Sequence, residues 1–128
     1  MMQTTMRGGG LSMPEQYMEY AKLAADAAED KKAKDVVILD IRSLSVIADY
    51  FIICSANSRI QVQAIADAVK DRLQERGLVC KGVEGKDEAK WVLIDFGDVV
   101  VHVFQEEDRR FFGLERLWGD APRLPVSV

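Results

Sequence analysis

A mixed α/β (α+β) domain, with one sheet of about five strands flanked by helices, is what this sequence of 128 residues predicts. Three observations predict it. Short β-branched runs alternate with segments of helical period. Two such runs separated by the pair Gly97-Asp98 make a β-hairpin, so the sheet is mixed. The length is that of one domain able to bury its own core without disulfides or metal.

Residues 1–12 read as a flexible leader: Met1–Gly10 has one Arg and no apolar run behind it, so it is not a secretory signal. Ser12-Met13-Pro14-Glu15 is a helix start, with Ser12 as cap, Pro14 tolerated in the first turn and Glu15 three residues after the cap. The helix runs to about Asp30. Its small, Ala-rich stripe of Tyr17, Tyr20, Ala21, Ala24 and Ala28 suits close packing on a flat surface such as a sheet. The cations from Lys31 to Lys34 suit the negative end of its dipole.

Val36–Ile41 and Asp49–Cys54 are β-branched and apolar, as strands buried on both faces are. The residues 42–48 connect them. Ser58 and Gln61 form a capping box, behind which Val62, Ile65, Ala66, Val69 and Leu73 fall at helical spacing until Gly77. Leu78–Val83 is a strand, and the stretch from Asp49 to Val83 reads as a parallel crossover. The loop Glu84–Glu88 is solvated. The hairpin strands are Trp91–Phe96 and Val99–Phe104. Glu106–Trp118 is a last amphipathic helix with Phe111, Leu114 and Trp118 aligned, Phe111 and Trp118 being core positions, and Gly119 just past its end. The folded domain therefore spans 13–120, and 121–128 is a tail.

Hydrophobic residues make up 48% and charged residues 30%, the balance of a soluble protein. No stretch approaches the length of a membrane span, so no membrane partner is expected. Net charge is −4, with no Lys or Arg run beyond Lys31-Lys32 and Arg109-Arg110. Phosphate binding needs several cations on one face, so a basic protein partner is favoured over nucleic acid. Cys54 and Cys80, both in apolar surroundings, read as buried reduced thiols of a cytoplasmic protein. Two cysteines and one histidine make no zinc finger, and no metal or other cofactor is expected.

Catalysis finds little footing. Two-metal chemistry needs carboxylates that converge, typically two apart on a strand. Asp95 and Asp98 lie three apart across a turn, and Asp40 stands alone. No nucleophile elbow accompanies His102, although a nucleophile paired with it in space stays open.

A two-residue turn pairs Asp95 with Val100, Leu93 with His102, and Trp91 with Phe104. One hairpin face then carries Val92, Ile94, Phe96, Val99, Val101 and Val103, all apolar. The other carries Trp91, Leu93, Asp95, Val100, His102 and Phe104, mixing large aromatics with a carboxylate and an imidazole. That composition suits a protein interface. It equally suits an internal layer covered by the last helix.

Several stretches together resemble the ribosomal silencing factor (Iojap) family. They are Asp49–Ser55, Ser58–Val62, Val83-Glu84-Gly85, the block Trp91–Phe104 and Leu114–Trp118. The similarity covers about Tyr17 to Pro122, and the Trp91–Phe104 block is its most specific part. The turn Ser55-Ala56-Asn57-Ser58 departs from the family's more usual glycine-containing turn. The resemblance implies a nucleotidyltransferase-like fold without an active enzyme. It implies docking on the fourteenth protein of the large ribosomal subunit, which blocks joining of the small subunit and lowers translation when nutrients are scarce. It also tips the second hairpin face toward interface, with Trp91, Leu93, Asp95, Val100, His102 and Phe104 as partner-binding residues. Arg109 and Arg110 are a solvated helix face or a minor contact with ribosomal RNA. A homodimer through the same face, and a nucleotidyltransferase-like enzyme or nucleotide-binding domain, are the alternatives.

Overall fold

The structure is a computed structural model that describes residues 13–126. Its elements are α1 (Met13–Asp30), β1 (Lys34–Asp40), β2 (Tyr50–Ala56), α2 (Arg59–Glu75), β3 (Gly82–Glu84), β4 (Trp91–Asp95), β5 (Val99–Gln105), α3 (Glu106–Phe112), α4 (Leu114–Leu117) and β6 (Arg123–Leu124). The expected leader, 1–12, with its Ser12 cap, lies outside the described residues.

The alanine stripe does what its size dictates. Ala21, Ala24, Ala25, Ala27 and Ala28 are all fully buried, and α1 lies against β1, β2 and α2. At α2, Ser58 accepts a hydrogen bond from Gln61 N–H at 3.1 Å, the N-terminal half of the capping box. The other half is not made: the Gln61 side chain donates instead to Lys32 O. The helix closes with Gly77 N–H on Gln74 O and Leu78 N–H on Leu73 O, a Schellman arrangement.

The strands form one mixed sheet in the order β3-β4-β5-β2-β1-β6. All neighbours are antiparallel except β2 and β5, which are parallel. The expected crossover survives in direction only. β3 does run parallel to β2, but β4 and β5 lie between them, and the parallel partner of β2 is β5. β3 is a three-residue edge strand, shorter than Leu78–Val83 suggested.

Alternation divides the sheet into two faces. Tyr50, Ile52, Cys54, Val92, Ile94, Val99, Val101 and Val103 pack beneath α1 and α2 as the main core. Leu39, Ile41, Phe51, Ile53, Val100 and Phe104 form a second, thinner layer on the opposite face, with Leu114 and Trp118 against it.

Four expectations need correction. The last helix is broken: Gly113 adopts φ +58, a conformation that helical residues do not take, so α3 and α4 are separate short helices. In consequence Phe111, expected in the core, is 78% exposed, whereas Trp118 does pack inward. A sixth strand, β6, lies within the segment read as a tail; its Ile38–Leu124 and Leu39–Arg123 pairs extend the sheet beyond β1, and Ala121 is buried. Of the two cysteines only Cys54 is buried, and Cys80 is half-exposed, because it precedes the short β3.

Candidate functional site

The two-residue step at Gly97-Asp98 gives the β4–β5 pair the register that the turn demands: Asp95 with Val100, Leu93 with His102, Trp91 with Phe104. Asp95 helps to close that turn, its Oδ1 accepting Gly97 N–H at 2.7 Å. The six residues Trp91, Leu93, Asp95, Val100, His102 and Phe104 thus share the sheet face opposite α1 and α2. Among the described residues, α3, α4, Ala48 of the connection after β1 and Ala121 pack over that face.

This sparse cover sorts the six by depth. Phe104 is fully buried, and His102 and Val100 are nearly so. Trp91, Leu93 and Asp95 are half-exposed. The first three sit beneath the surface, and the last three are what an approaching molecule can touch.

The layer is strongly aromatic. Trp91 stacks on Phe104 with ring centroids 5.0 Å apart and an interplanar angle of 28°. Phe112 lies 4.9 Å from Trp91 and 6.4 Å from Phe104, so the three rings form one cluster. Beneath, His102 meets Phe51 edge-on at 4.6 Å, and Phe51 meets Trp118 at 5.4 Å. Such arrangements add roughly 0.5–1.5 kcal/mol per pair beyond the area they bury.

Two further features hold Trp91. Its indole N–H donates to His102 Nδ1 at 3.1 Å. Its backbone passes so close to Gly85 that a Cβ there would overlap the Trp91 carbonyl oxygen, and Gly85 has φ +81. Only glycine fits that contact and that dihedral together.

The electrostatics are local. Burial pushes the His102 pKa down to about 4, so the ring is neutral at physiological pH. With Nδ1 accepting, its proton sits on Nε2, which has no partner among the described residues. Cys54 projects to the opposite sheet face, and burial pushes its thiol up to about 12. No Cys–His pair can therefore form. Asp40 lies across the sheet from Asp95, held below the usual carboxylate range by its hydrogen bonds to Arg42. Among the described residues no three His, Cys, Asp or Glu side chains gather as metal ligands. Ser55, expected in a turn, is instead paired within β2; it donates its hydroxyl to Lys34 O at 3.4 Å and accepts from Arg109 at 3.0 Å.

Some surface residues were not legible in advance. Phe112 joins Trp91 in a cleft of about 300 Å³ floored also by Phe111 and rimmed by Glu88, Lys90 and Asp108. The signal was the pair Phe111-Phe112 directly before a glycine, where a helix end fans its side chains outward. Leu44, Val46 and Ile47, in the connection, are exposed, Val46 wholly so. A stretch that apolar between two strands is itself a cue.

Comparison with known proteins gives a concordant set of matches. The model of a family described as ribosomal silencing factor during starvation matches residues 14–128. The chain is similar to the ribosomal silencing factor RsfS of Bacillus subtilis, 55% identical over 101 residues, covering 79% of this chain and 86% of that protein. It is similar to a solved structure of a Chromobacterium violaceum protein, with a TM-score of 0.79 and 41% identity, covering 80% of this chain and 86% of that one. A more distant relative is the mouse protein named mitochondrial assembly of ribosomal large subunit protein 1, 29% identical over 93 residues, 69% of this chain and 40% of that protein.

Proposed function

We propose, because this chain belongs to the ribosomal silencing factor family, that it is a cytoplasmic repressor of translation that docks on the large ribosomal subunit. The docking partner is the subunit's fourteenth protein. Bound there, the domain blocks joining of the small subunit when nutrients are scarce. The observation that carries the reading is the aromatic cleft at Trp91 with its carboxylate rim. An exposed aromatic floor supplies the apolar anchor of an interface, and the acidic rim suits a basic ribosomal protein.

The roles divide by depth. Trp91, Leu93 and Asp95 make contact, with Phe111 and Phe112 extending the apolar surface. Val100, His102 and Phe104 support them from beneath and hold the indole in place. The name of the mouse relative, which refers to assembly of the large subunit, agrees with this choice of subunit.

Co-sedimentation with purified large subunits tests the reading. Wild-type protein is expected in the subunit pellet at modest salt, and Trp91→Ala in the supernatant. Absence of wild-type binding, or equal binding by the variant, overturns it. A homodimer built on the same face would compete for it, and light scattering over a concentration series separates the two associations.

A further inference from the structure

β2 and β5 are the one parallel pair among the described strands. Their continuations part company. After β2 the chain enters α2 on one face of the sheet; after β5 it enters α3, whose Phe112 lies on the other. A crevice must open between the carboxyl ends of two parallel strands whose connections diverge in this way, and such crevices are where open sheets bind ligands.

A concavity of about 740 Å³ opens beside that point, lined by β1, by Ser55 near the carboxyl end of β2, and by α3, α4 and β6. Four of the chain's nine arginines line it: Arg109 and Arg110 from α3, Arg116 from α4 and Arg123 from β6. The lining carboxylates are Asp35, Glu106 and Glu115.

These charges do not all cancel. Arg109 is a structural strut, 12% exposed, with Nε on Glu115 at 2.8 Å and Nη1 on Ser55 Oγ. Glu106 takes Lys34 at 3.4 Å. Arg123 reaches the remaining oxygen of Glu115 only at 3.7 Å. Two guanidinium groups, those of Arg110 and Arg116, are left without an ion pair among the described residues, with Arg123 held only loosely and Asp35 the one lining carboxylate without a salt bridge.

We infer that this crevice is a track for the phosphate backbone of RNA. Guanidinium forks match phosphate oxygens in pairs. The lining holds no aromatic ring on which a base could stack, and the cations are strung over three successive elements. That arrangement reads backbone charge and not base identity. α3 carries the geometry further, presenting Phe111 and Phe112 to the docking cleft and Arg109 and Arg110 to the crevice. A surface where ribosomal protein and ribosomal RNA adjoin would meet both. The choice of RNA as the partner rests on the proposed ribosomal docking; the anion site rests on the arginines alone.

Fluorescence anisotropy of the full chain with labelled oligouridine and oligoadenosine RNA, over a salt series, tests the inference. Binding is expected to be alike for both sequences, with log K falling against log salt at a slope of about −1.4, from about 0.7 per neutralised phosphate and the two unpaired arginines. R110E/R116E should cut that slope by more than half while melting with wild type. Trp91→Ala should bind RNA normally although it fails to sediment with large subunits. No salt-dependent binding by wild type, or binding unchanged in R110E/R116E, overturns the inference and leaves the docking reading untouched. Displacement by pyrophosphate at matched ionic strength also overturns it, in favour of a site for a small phosphate compound. RNA binding retained by a wild-type protein that does not sediment would sink the docking reading instead.

Discussion

Trp91 and His102, diagonal neighbours across the β4–β5 pair, are joined by a hydrogen bond from the indole N–H to Nδ1 at 3.1 Å. A half-exposed indole, the proposed anchor, is thereby oriented by a buried, neutral imidazole. The pair gives Trp91 two separable attributes, its apolar area and its fixed direction. Trp91→Ala should remove both, weakening docking by about 2 kcal/mol or more, roughly thirtyfold. Trp91→Phe should keep much of the area and lose the direction, giving intermediate docking in the same sedimentation assay.

His102 makes stability depend on pH in a defined window. Its ordinary pKa is 6.5, and burial holds it at about 4 in the folded state. Between those values the unfolded chain takes up a proton that the folded chain refuses. Stability is therefore full above pH 6.5 and falls as pH drops toward 4, by roughly 3 kcal/mol at about 1.4 kcal/mol per pH unit. Asp40 and Glu115, both depressed by arginine partners, begin to add to the loss only below the ordinary carboxylate range. His102→Gln, which keeps an acceptor for Trp91, should flatten the upper part of the profile. Urea melts between pH 4.5 and 7.5 measure it, and an unchanged slope would refute the assignment.

Asp95 has two duties that substitution can separate. Its Oδ1 closes the hairpin turn on Gly97 N–H, and its exposed edge belongs to the proposed contact surface. Asp95→Asn keeps the acceptor and removes the charge. It should melt within about 0.5 kcal/mol of wild type and lose docking to a basic partner. Asp95→Lys should lose the turn bond as well, about 1 kcal/mol.

Gly85 underlies Trp91 from the backbone side. Gly85→Ala must move the loop away from the Trp91 carbonyl and strain its dihedral, for roughly 1–3 kcal/mol. Tryptophan emission should shift in the folded variant, whereas substitution at the exposed Lys86 should leave it unchanged.

The two thiols should differ sharply. Cys80 is half-exposed and Cys54 is sealed under the helices with its pKa pushed up to about 12. Native protein should react with one equivalent of a thiol reagent, and the second only after unfolding.

The hairpin was readable in the sequence because one two-residue step sets its register and hence both of its faces. α2 was readable because its cap, apolar period and terminating glycine agree. What eluded the sequence is what depends on neighbours. Phe111, Leu114 and Trp118 keep helical spacing through Gly113, so the pattern hides a break that only the left-handed dihedral reveals. Alternation put six residues on one face but could not divide Trp91, Leu93 and Asp95 from the deeper three. That division is set by how little α3 and α4 cover. A two-residue strand such as β6 has no period at all and exists because β1 offers it free backbone groups.

That small strand carries weight beyond its length. An uncovered β1 would present Val36–Leu39, a continuous apolar row with unpaired amide and carbonyl groups, to any other extended chain. β6 occupies the second half of that row through Ile38 and Leu39, while Pro122 O accepts Asp40 N–H at 2.8 Å and Pro125 follows as a residue that cannot propagate a ladder. At the far side, β3 is too short to template another strand. The sheet is fenced at both margins against self-association, and a chain ending at residue 120 would be expected to fold its core and then precipitate.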